Sequence, residues 1–286
     1  MSLSLMRHVE ACHNTPSLAH LLPFRLGGAV AGHVAPDLAE ALAARAEGFR
    51  LDREGLALAT DPASPEARSA TLASACRSLA AERRLRLRGE LFDIRAAAAG
   101  PVLARLDRGA IPAFGVIGHG VHLNGLVRRA DGLHVWVGVR ARNKAVAPGQ
   151  LDNLVGGGVP AGLTPRETLL KEAQEEASIP AALAARARPV GRVSYILTLP
   201  EGLRRDVLHL YDLELPEDFL PVPQDDEVER FELWPARRLL DCVRETDAVK
   251  FNVNLVLIDL FLREGLIPPE SAEGRALRAA LDQGVG

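Results

Sequence analysis

The sequence predicts an α/β (α+β) protein in which a mixed β-sheet is flanked by helices and joined to an additional, smaller N-terminal α/β domain. Its 286 residues approach the upper limit for one hydrophobic core, which favours one large or two modest domains. After about residue 118, strand-like runs surround a well-capped helix, an order typical of a mixed sheet with helices on its faces. We therefore predict an accessory domain at residues 1–118 and a larger domain at residues 119–286.

The composition is that of an ordinary globular protein, with 48% hydrophobic and 25% charged residues. The formal net charge of -3 gives no bulk attraction to nucleic acid or to an anionic membrane. No stretch approaches the roughly 20 apolar residues that a transmembrane helix requires. We therefore expect neither nucleic acid nor a membrane as a partner.

The three cysteines, Cys12, Cys76 and Cys242, are odd in number and widely spaced. This spacing argues against a disulfide framework or a zinc site and indicates a reducing compartment. The segment Met1–Asn14 is charged and lacks a long apolar run, unlike a secretory signal. The expected location is the cytoplasm.

The N-terminal part contains five predicted elements. The helix Ser64–Leu85 has the clearest start signal, because Pro65 follows Ser64 at the first helical position. The other predicted elements are the strands Leu26–Val34 and Glu90–Ile94 and the helices Pro36–Ala46 and Ala96–Arg105. Together these elements predict a small α/β unit.

The second part begins with a predicted hairpin. Its strands, Val121–Arg128 and Leu133–Arg140, are joined by a short connection that contains Asp131-Gly132, a hairpin signal. The downstream elements are a glycine loop at Gly156–Gly158, a helix from Pro165 to about Ser178, strands at Val190–Leu199, Val207–Leu215 and Glu227–Trp234, and helices at Leu239–Val243 and Asn252–Leu262. This order predicts the mixed sheet.

The helix that starts at Pro165 carries a capping box. Thr164 can accept from the amide of residue 167, and Glu167 can reach back to the amide of Thr164. Pro165 has no backbone N–H, but an N–H at the first helical position would have no partner within the helix. These signals fix the helical phase.

Glu172, Glu175 and Glu176 fall within one narrow arc of this helix, at about 100° per residue. Like charges at such spacings repel by a few tenths of a kcal/mol, roughly. A hard cation such as Mg²⁺ would remove this penalty, since carboxylate oxygens are its natural ligands. A solvated acidic face is the commoner meaning of such a cluster. The nearby glycines, which permit close backbone approach, favour a binding site.

The spacing of these residues resembles the sequence box of the Nudix hydrolase family. The matching positions are Gly157, Leu163 and the run Lys171-Glu172-Ala173-Gln174-Glu175-Glu176-Ala177-Ser178-Ile179. Leu163 replaces a glutamate of that box, and Lys171 replaces an arginine whose rigid fork could orient carboxylates. Ser178 replaces the glycine that ends the family's helix, which predicts a different turn there. The resemblance implies a Nudix-type mixed β-sheet and a diphosphate hydrolase.

Several segments resemble one Nudix subgroup with an extra N-terminal domain, related to the domain fused to thiamine pyrophosphokinase in some fungi. These segments are Leu151-Asp152-Asn153, Gly157-Gly158-Val159, Lys171-Glu172-Ala173 and Asp226-Glu227-Val228-Glu229, and Phe251 and Asn252 fit the later helix of that subgroup. The resemblance implies hydrolysis of thiamine diphosphate or its oxidised analogues to the monophosphate plus phosphate.

The family resemblance also implies roles for individual residues. The carbonyl of Gly157, together with Glu172 and Glu176, would hold the metal, either Mg²⁺ or Mn²⁺. Glu175 would hold a further ion or act as the base. Glu227 is another candidate, either for metal binding or for taking a proton from water. The expected catalytic set is thus Glu172, Glu175, Glu176 and Glu227.

Arg140, Arg142 and Lys144 lie between a predicted strand and the glycine loop. Arginine can grip phosphate oxygens bidentately and lysine as a point charge, although a solvated loop is the alternative. We expect at least one of the three to bind substrate. His119 and His122 are expected to make ordinary polar contacts.

Two other activities stay open at this point. One is a nucleoside-diphosphate-sugar or dinucleotide pyrophosphatase, and the other is a Nudix-fold sensor that binds a diphosphate metabolite without cutting it. In each case the partner is a small-molecule diphosphate. The N-terminal domain has three open roles: covering the active site, supplying specificity residues or forming a homodimer.

Overall fold

The computed structural model describes residues 4–44, 48–60, 64–143, 146–224, 226–281 and 283. Helix α1 (Met6–Cys12) opens the chain. Its buried residues Val9 and Cys12 join the core of the second domain, and Arg7 donates to the carbonyl of Thr246 at 2.6 Å. The first helix therefore packs with residues more than 200 positions away, although it lies within the segment assigned to the accessory domain.

The rest of the N-terminal segment forms a separate α/β unit. Its elements are β1 (Leu22–Leu26), β2 (Ala29–Val34), α2 (Pro36–Ala44), β3 (Phe49–Asp52), β4 (Gly55–Leu58), α3 (Pro65–Ala81), β5 (Leu91–Ile94), β6 (Ala104–Asp107) and α4 (Ile111–Phe114). The first four strands form a sheet in the order β2-β1-β4-β3, while β5 and β6 form a separate pair. As predicted, Ser64 caps α3 by accepting from the amide of Ala67. The additional N-terminal α/β domain is confirmed.

Two predictions for this domain are wrong. The single strand Leu26–Val34 is a hairpin, because Gly27 (φ 59°) and Gly28 (φ 76°) take the left-handed conformations of a tight turn. The helix Ala96–Arg105 does not form, since Pro101 disfavours helical geometry at Gly100. β6 begins at Ala104 instead and pairs with β5. Part of the predicted helix Pro36–Ala46 lies outside the described residues.

The second domain contains the larger sheet. Its elements are β7 (Ile117–Arg129), β8 (Gly132–Arg140), β9 (Leu151–Asp152), β10 (Val155–Gly158), α5 (Pro165–Ala177), α6 (Ala181–Ala184), β11 (Arg188–Leu199), β12 (Gly202–Glu214), β13 (Val228–Pro235), α7 (Ala236–Glu245), α8 (Val253–Arg263) and α9 (Ala272–Leu281). The main strand order is β11-β12-β7-β8-β13, with β10 on β7 and β9 on β8. Only β12 and β7 among these pairs run parallel. The predicted mixed sheet is confirmed.

Helices cover both faces of this sheet. Leu169 and Ala173 of α5 pack with Val121 and Leu123 of β7 on one face. On the other face, α7, α8 and α9 pack against alternate residues such as Leu126. The predicted hairpin is present, with Arg129 opposite Gly132. All three cysteines are free, and no helix in the described ranges is both long and apolar enough to cross a bilayer.

Candidate metal and diphosphate site

The capping box fixes the start of α5 as the sequence indicates. The amide of Glu167 donates to Thr164 Oγ1 at 3.2 Å, and the amide of Thr164 donates to Glu167 Oε2 at 2.8 Å. One turn later, the apolar stripe that includes Leu169 and Ala173 is fully buried against the sheet. The acidic residues beside that stripe are therefore held at the edge of the sheet.

Two of the three glutamates turn toward the glycine strand β10. Glu176 Oε2 accepts from the amide of Gly156 at 2.9 Å. A Cβ at Gly157 would lie 2.9 Å from Glu172 Cδ, so any side chain there would displace the Glu172 carboxylate. Glycine at position 157 thus lets the Glu172 carboxylate approach the backbone closely. The prediction of a glycine loop is wrong, because residues 155–158 pair with β7 as an extended strand.

Burial and neighbouring negative charge both act on these two carboxylates. Burial raises the pKa of Glu176 well above its usual value, and Asp152, Glu172 and Glu227 add to the rise. The pKa of Glu172 is also raised, chiefly by burial, with Glu175 and Glu90 contributing and Lys171 opposing. Oxygen donors crowded in this way match the chemistry of a hard divalent cation.

Glu175 has a different environment. Its side chain is 53% exposed, and Lys171 Nζ binds its Oε2 at 2.6 Å while lying 3.4 Å from Glu172 Oε1. Over the residues that the structure describes, no three His, Cys, Asp or Glu side chains are grouped closely enough to hold a metal ion. The carboxylate oxygens present are of the type that binds a divalent cation. Glu175 could join them as a ligand only after breaking its contact with Lys171.

Glu227 precedes β13, and its carbonyl accepts from the amide of Ala141 at 2.9 Å. Its charge contributes to the raised pKa of Glu176. The start of β13 therefore adds a third carboxylate, after Asp152 and Glu172, to the electrostatic surroundings of Glu176, and a catalytic or metal-binding role for Glu227 stays a prediction.

Ser178 ends α5 in the left-handed conformation (φ 54°, ψ 32°) that glycine usually adopts. The amide of Ile179 donates to the carbonyl of Ala173 at 3.0 Å, and that of Ser178 to Gln174 at 3.2 Å. The prediction of a different turn is wrong. The hydroxyl of Ser178 makes hydrogen bonds with Val222 and Gln224, which lie outside the helix. Glycine could not make these bonds.

The three predicted phosphate-binding residues have different surroundings. Arg140 is largely buried and donates to Asp152 Oδ2 at 2.6 Å. Arg142 has a side chain that is 89% exposed, with its Nε 3.9 Å from Glu229. Lys144 lies outside the described residues. A substrate contact for any of them stays a prediction.

Lys250 is a neighbour of the site that the sequence did not single out. Its Nζ donates to Asp152 Oδ2 at 3.0 Å, and its amide donates to the carbonyl of Leu151 at 3.0 Å. Burial disfavours ionised Asp152, but Lys250, His122 and Arg140 outweigh it and lower its pKa. The sequence feature that could have identified Lys250 is its position directly before Phe251-Asn252, which fit the later helix of the Nudix subgroup.

The histidines make ordinary polar contacts, as expected. His122 Nδ1 lies 2.8 Å from Asn153 Oδ1, and Asn153 donates to Asn124 at 2.8 Å. Asn124 donates in turn to Asp212 at 2.8 Å. This buried chain of hydrogen bonds extends from His122 on β7, through Asn153 and Asn124, to Asp212 on β12. His119 Nδ1 lies 3.2 Å from His209 Nε2.

Two protein families match this sequence, one in each of its two parts. The family described as "NUDIX domain" matches residues 119–254, and "Domain of unknown function (DUF4743)" matches residues 4–118. The second part of the chain is therefore similar to Nudix domains, and the part before it is similar to the DUF4743 family. Members of the Nudix family generally use divalent metal ions.

The chain is also similar to curated proteins of Arabidopsis thaliana. It is 45% identical to "Nudix hydrolase 20, chloroplastic" over 186 residues, which cover 65% of this chain and 50% of that relative. It is 44% identical to "Nudix hydrolase 24, chloroplastic" over 185 residues, covering 65% and 51%. The chain thus spans about half the length of these relatives. Their names support the expectation of a Nudix-type enzyme.

The expected cytoplasmic location is wrong by the same comparison, because both relatives are named as chloroplastic. Cysteine usage reports the redox environment and does not distinguish one reducing compartment from another. Among solved structures, the chain is similar to "DR0079 from Deinococcus radiodurans", with 23% identity and a TM-score of 0.46 over 59% of this chain and 97% of that one.

Proposed function

We propose that this chain hydrolyses a substituted diphosphate with the help of Mg²⁺ or Mn²⁺. The observation that carries this proposal is the convergence of Glu172 and Glu176 on Gly156 and Gly157. Burial of the Glu176 carboxylate beside other carboxylates is costly, and a divalent cation would stabilise its ionised form. The candidate metal ligands are the carbonyl of Gly157 and the carboxylates of Glu172, Glu175 and Glu176.

A bound cation would neutralise the diphosphate and lower the pKa of the attacking water. Glu175 and Glu227 are the two candidates for taking the proton from that water, since neither is tied to the amides of β10. The water oxygen forms a bond to phosphorus, and the bridging phosphorus–oxygen bond breaks. The products are a monophosphate and phosphate.

The preferred substrate in this proposal is thiamine diphosphate or one of its oxidised analogues. The support comes from the subgroup segments, which meet beside the acidic cluster. Residues 151–153 lie next to residues 249–252, with Leu151 bridged to Val249 and Asp152 bound by Lys250. Arg140 and Lys250 also bring positive charge close to this acidic cluster, where a phosphate chain would lie.

A non-catalytic sensor of a diphosphate metabolite is the second candidate. Lys171 favours it, because its ammonium group holds Glu175 at 2.6 Å in the position where a cation would otherwise bind. A nucleoside-diphosphate-sugar or dinucleotide pyrophosphatase is a variant of the enzyme proposal. It differs only in the organic group beyond the diphosphate.

A screen of diphosphate metabolites separates these candidates. We expect phosphate release from thiamine diphosphate or its oxidised analogues with Mg²⁺ or Mn²⁺, and none with chelator. Glu172→Gln and Glu176→Gln should each lower kcat at least about a hundredfold, the scale of losing a group that stabilises the transition state. Glu245→Gln, an exposed change on α7, is the control. Binding without turnover by the wild type would exclude the enzyme and favour the sensor.

A further inference from the structure

The N-terminal domain touches the glycine strand through β5. The amide of Ala161 donates to the carbonyl of Leu91 at 2.7 Å, and the amide of Gly162 donates to Asp93 Oδ2 at 3.2 Å. Both amides belong to the connection between β10 and α5. The segment that joins the glycine strand to the acidic helix is therefore hydrogen-bonded to the other domain.

Phe92 makes the closest contact. A Cβ at Gly158 would lie 2.3 Å from Cζ of Phe92 and 3.2 Å from its Cε2, so the ring rests directly on the glycine backbone. The next residue back, Gly157, meets Glu172 on the opposite face, since successive residues of a strand alternate. The glycine strand is thus enclosed by Phe92 on one side and by Glu172 on the other.

The position of Phe92 is set within the N-terminal domain. It is buried in the same core cluster as Ile94 and Leu106. The guanidinium of Arg108 lies 5.8 Å from its ring centre and binds Glu90 at 2.9 Å. A displacement of this domain would therefore move the ring that covers Gly158.

A strand of three glycines has little stiffness of its own, because glycine has the widest backbone freedom of any residue. A metal site, by contrast, requires its ligands to be held in place by their surroundings. The backbone of Gly157 is fixed only as well as β10 is fixed, and the carboxylate of Glu176 is bound to β10 through the amide of Gly156. Contacts from outside the Nudix domain supply part of that support.

We propose that Phe92 is a positioning residue for the diphosphate site, and that the N-terminal domain is consequently a required part of the catalytic unit. The inference rests on the proposed function for its catalytic consequence. Its structural content, the support of β10 by Phe92 and Asp93, can be tested without substrate. Displacement of a reacting group by about 1 Å is sufficient to lower a rate about a hundredfold.

The test compares Phe92→Leu with Phe49→Leu in the full chain. Both phenylalanines are buried in the same N-terminal core, at 7% and 5% exposure, but Phe49 lies on β3 of the other sheet. We expect similar losses of stability. Only Phe92→Leu should speed hydrogen exchange of residues 155–163 and weaken Mn²⁺ binding, each about tenfold. Equal effects of the two variants would overturn the proposal.

A second pair of variants tests the same inference if Phe92→Leu or Phe49→Leu does not fold. Asp93→Ala removes the acceptor for Gly162 and its contacts with Arg95 and Arg105. Asp52→Ala removes contacts with two arginines on the other sheet of the same domain. Only Asp93→Ala should speed exchange at residues 159–163. Exchange and Mn²⁺ binding need no substrate, so they test this inference even if no diphosphate is hydrolysed.

Discussion

The hydroxyl of Ser178 donates a 2.7 Å hydrogen bond to the carbonyl of Val222. Gln224 Nε2 donates to the same hydroxyl at 2.7 Å. The end of the acidic helix is thereby joined to the segment that leads to Glu227. A residue that departs from the family's glycine therefore links two parts of the candidate site.

Replacing Ser178 tests this link. Ser178→Ala keeps the left-handed strain and loses both hydrogen bonds, so it should lower the free energy of unfolding by about 1–2 kcal/mol. Ser178→Gly loses the same hydrogen bonds but relieves backbone strain of about 1 kcal/mol, so its stability should lie closer to that of the wild type. Urea denaturation measures both. Equal stability of the alanine variant and the wild type would show that these hydrogen bonds contribute nothing.

Gly157→Ala should lower activity at least tenfold, the rough scale of a misplaced catalytic group. A Cβ at this position would lie 2.9 Å from Glu172 Cδ and 3.2 Å from its Oε2, so the carboxylate must move. Gly100→Ala is the control, since its Cβ would meet no atom nearer than 3.2 Å in the N-terminal domain. Circular dichroism checks the fold. Full activity of Gly157→Ala would contradict the assigned role of Glu172.

Lys171→Ala should strengthen Mg²⁺ binding, by about threefold to tenfold, because the ammonium group no longer competes for Glu175 and Glu172. The loss of stability should stay below about 1 kcal/mol, since the Lys171–Glu175 pair is an exposed i,i+4 pair. Calorimetric titration with Mg²⁺ measures the binding. Weaker binding than in the wild type would show that Lys171 supports the cation.

His122 should make the protein less stable in acid. Burial and the charge of Lys250 lower its pKa to about 4, against opposition from Asp152, Asn153 and Asp206. Because its pKa is near 6.5 when unfolded, unfolding takes up a proton between these values. The contribution of the neutral ring is complete above about pH 6.5 and declines toward pH 4.

Urea denaturation between pH 7.5 and 4.5 checks this dependence. The decline attributable to His122 should be about 2–3 kcal/mol across the window. In His122→Asn the pH dependence should be weaker by that amount, while His20→Asn, at an exposed position, should leave it unchanged. Identical slopes for the His122 variant and the wild type would contradict the prediction.

Local signals in the sequence located much of the candidate site. The capping box at Thr164 and Glu167 fixed the helical phase, and helical periodicity then placed Glu172 and Glu176 beside one another. The Asp131-Gly132 pair identified the hairpin for the same reason, since turn chemistry acts over a few residues. The spacing could not show that Glu175 would turn toward Lys171, because side-chain direction depends on the neighbours.

The contacts that sequence reasoning missed join distant parts of the chain. Lys250 binds Asp152 across 98 residues, and Phe92 meets Gly158 across the domain boundary. No local pattern encodes such pairs. The helix expected at Ala96–Arg105 failed for a related reason, because the propensity of the alanines was outweighed by Pro101 and by pairing of Ala104 with Ile94.

The central claim is that Glu172 and Glu176 hold a divalent cation against the glycine strand. Anomalous diffraction from a crystal soaked in Mn²⁺ tests it most directly. We predict a peak about 2.0–2.3 Å from carboxylate oxygens of both residues and from the carbonyl of Gly157. Saturating Mn²⁺ with no peak beside Glu172 and Glu176 would contradict the account.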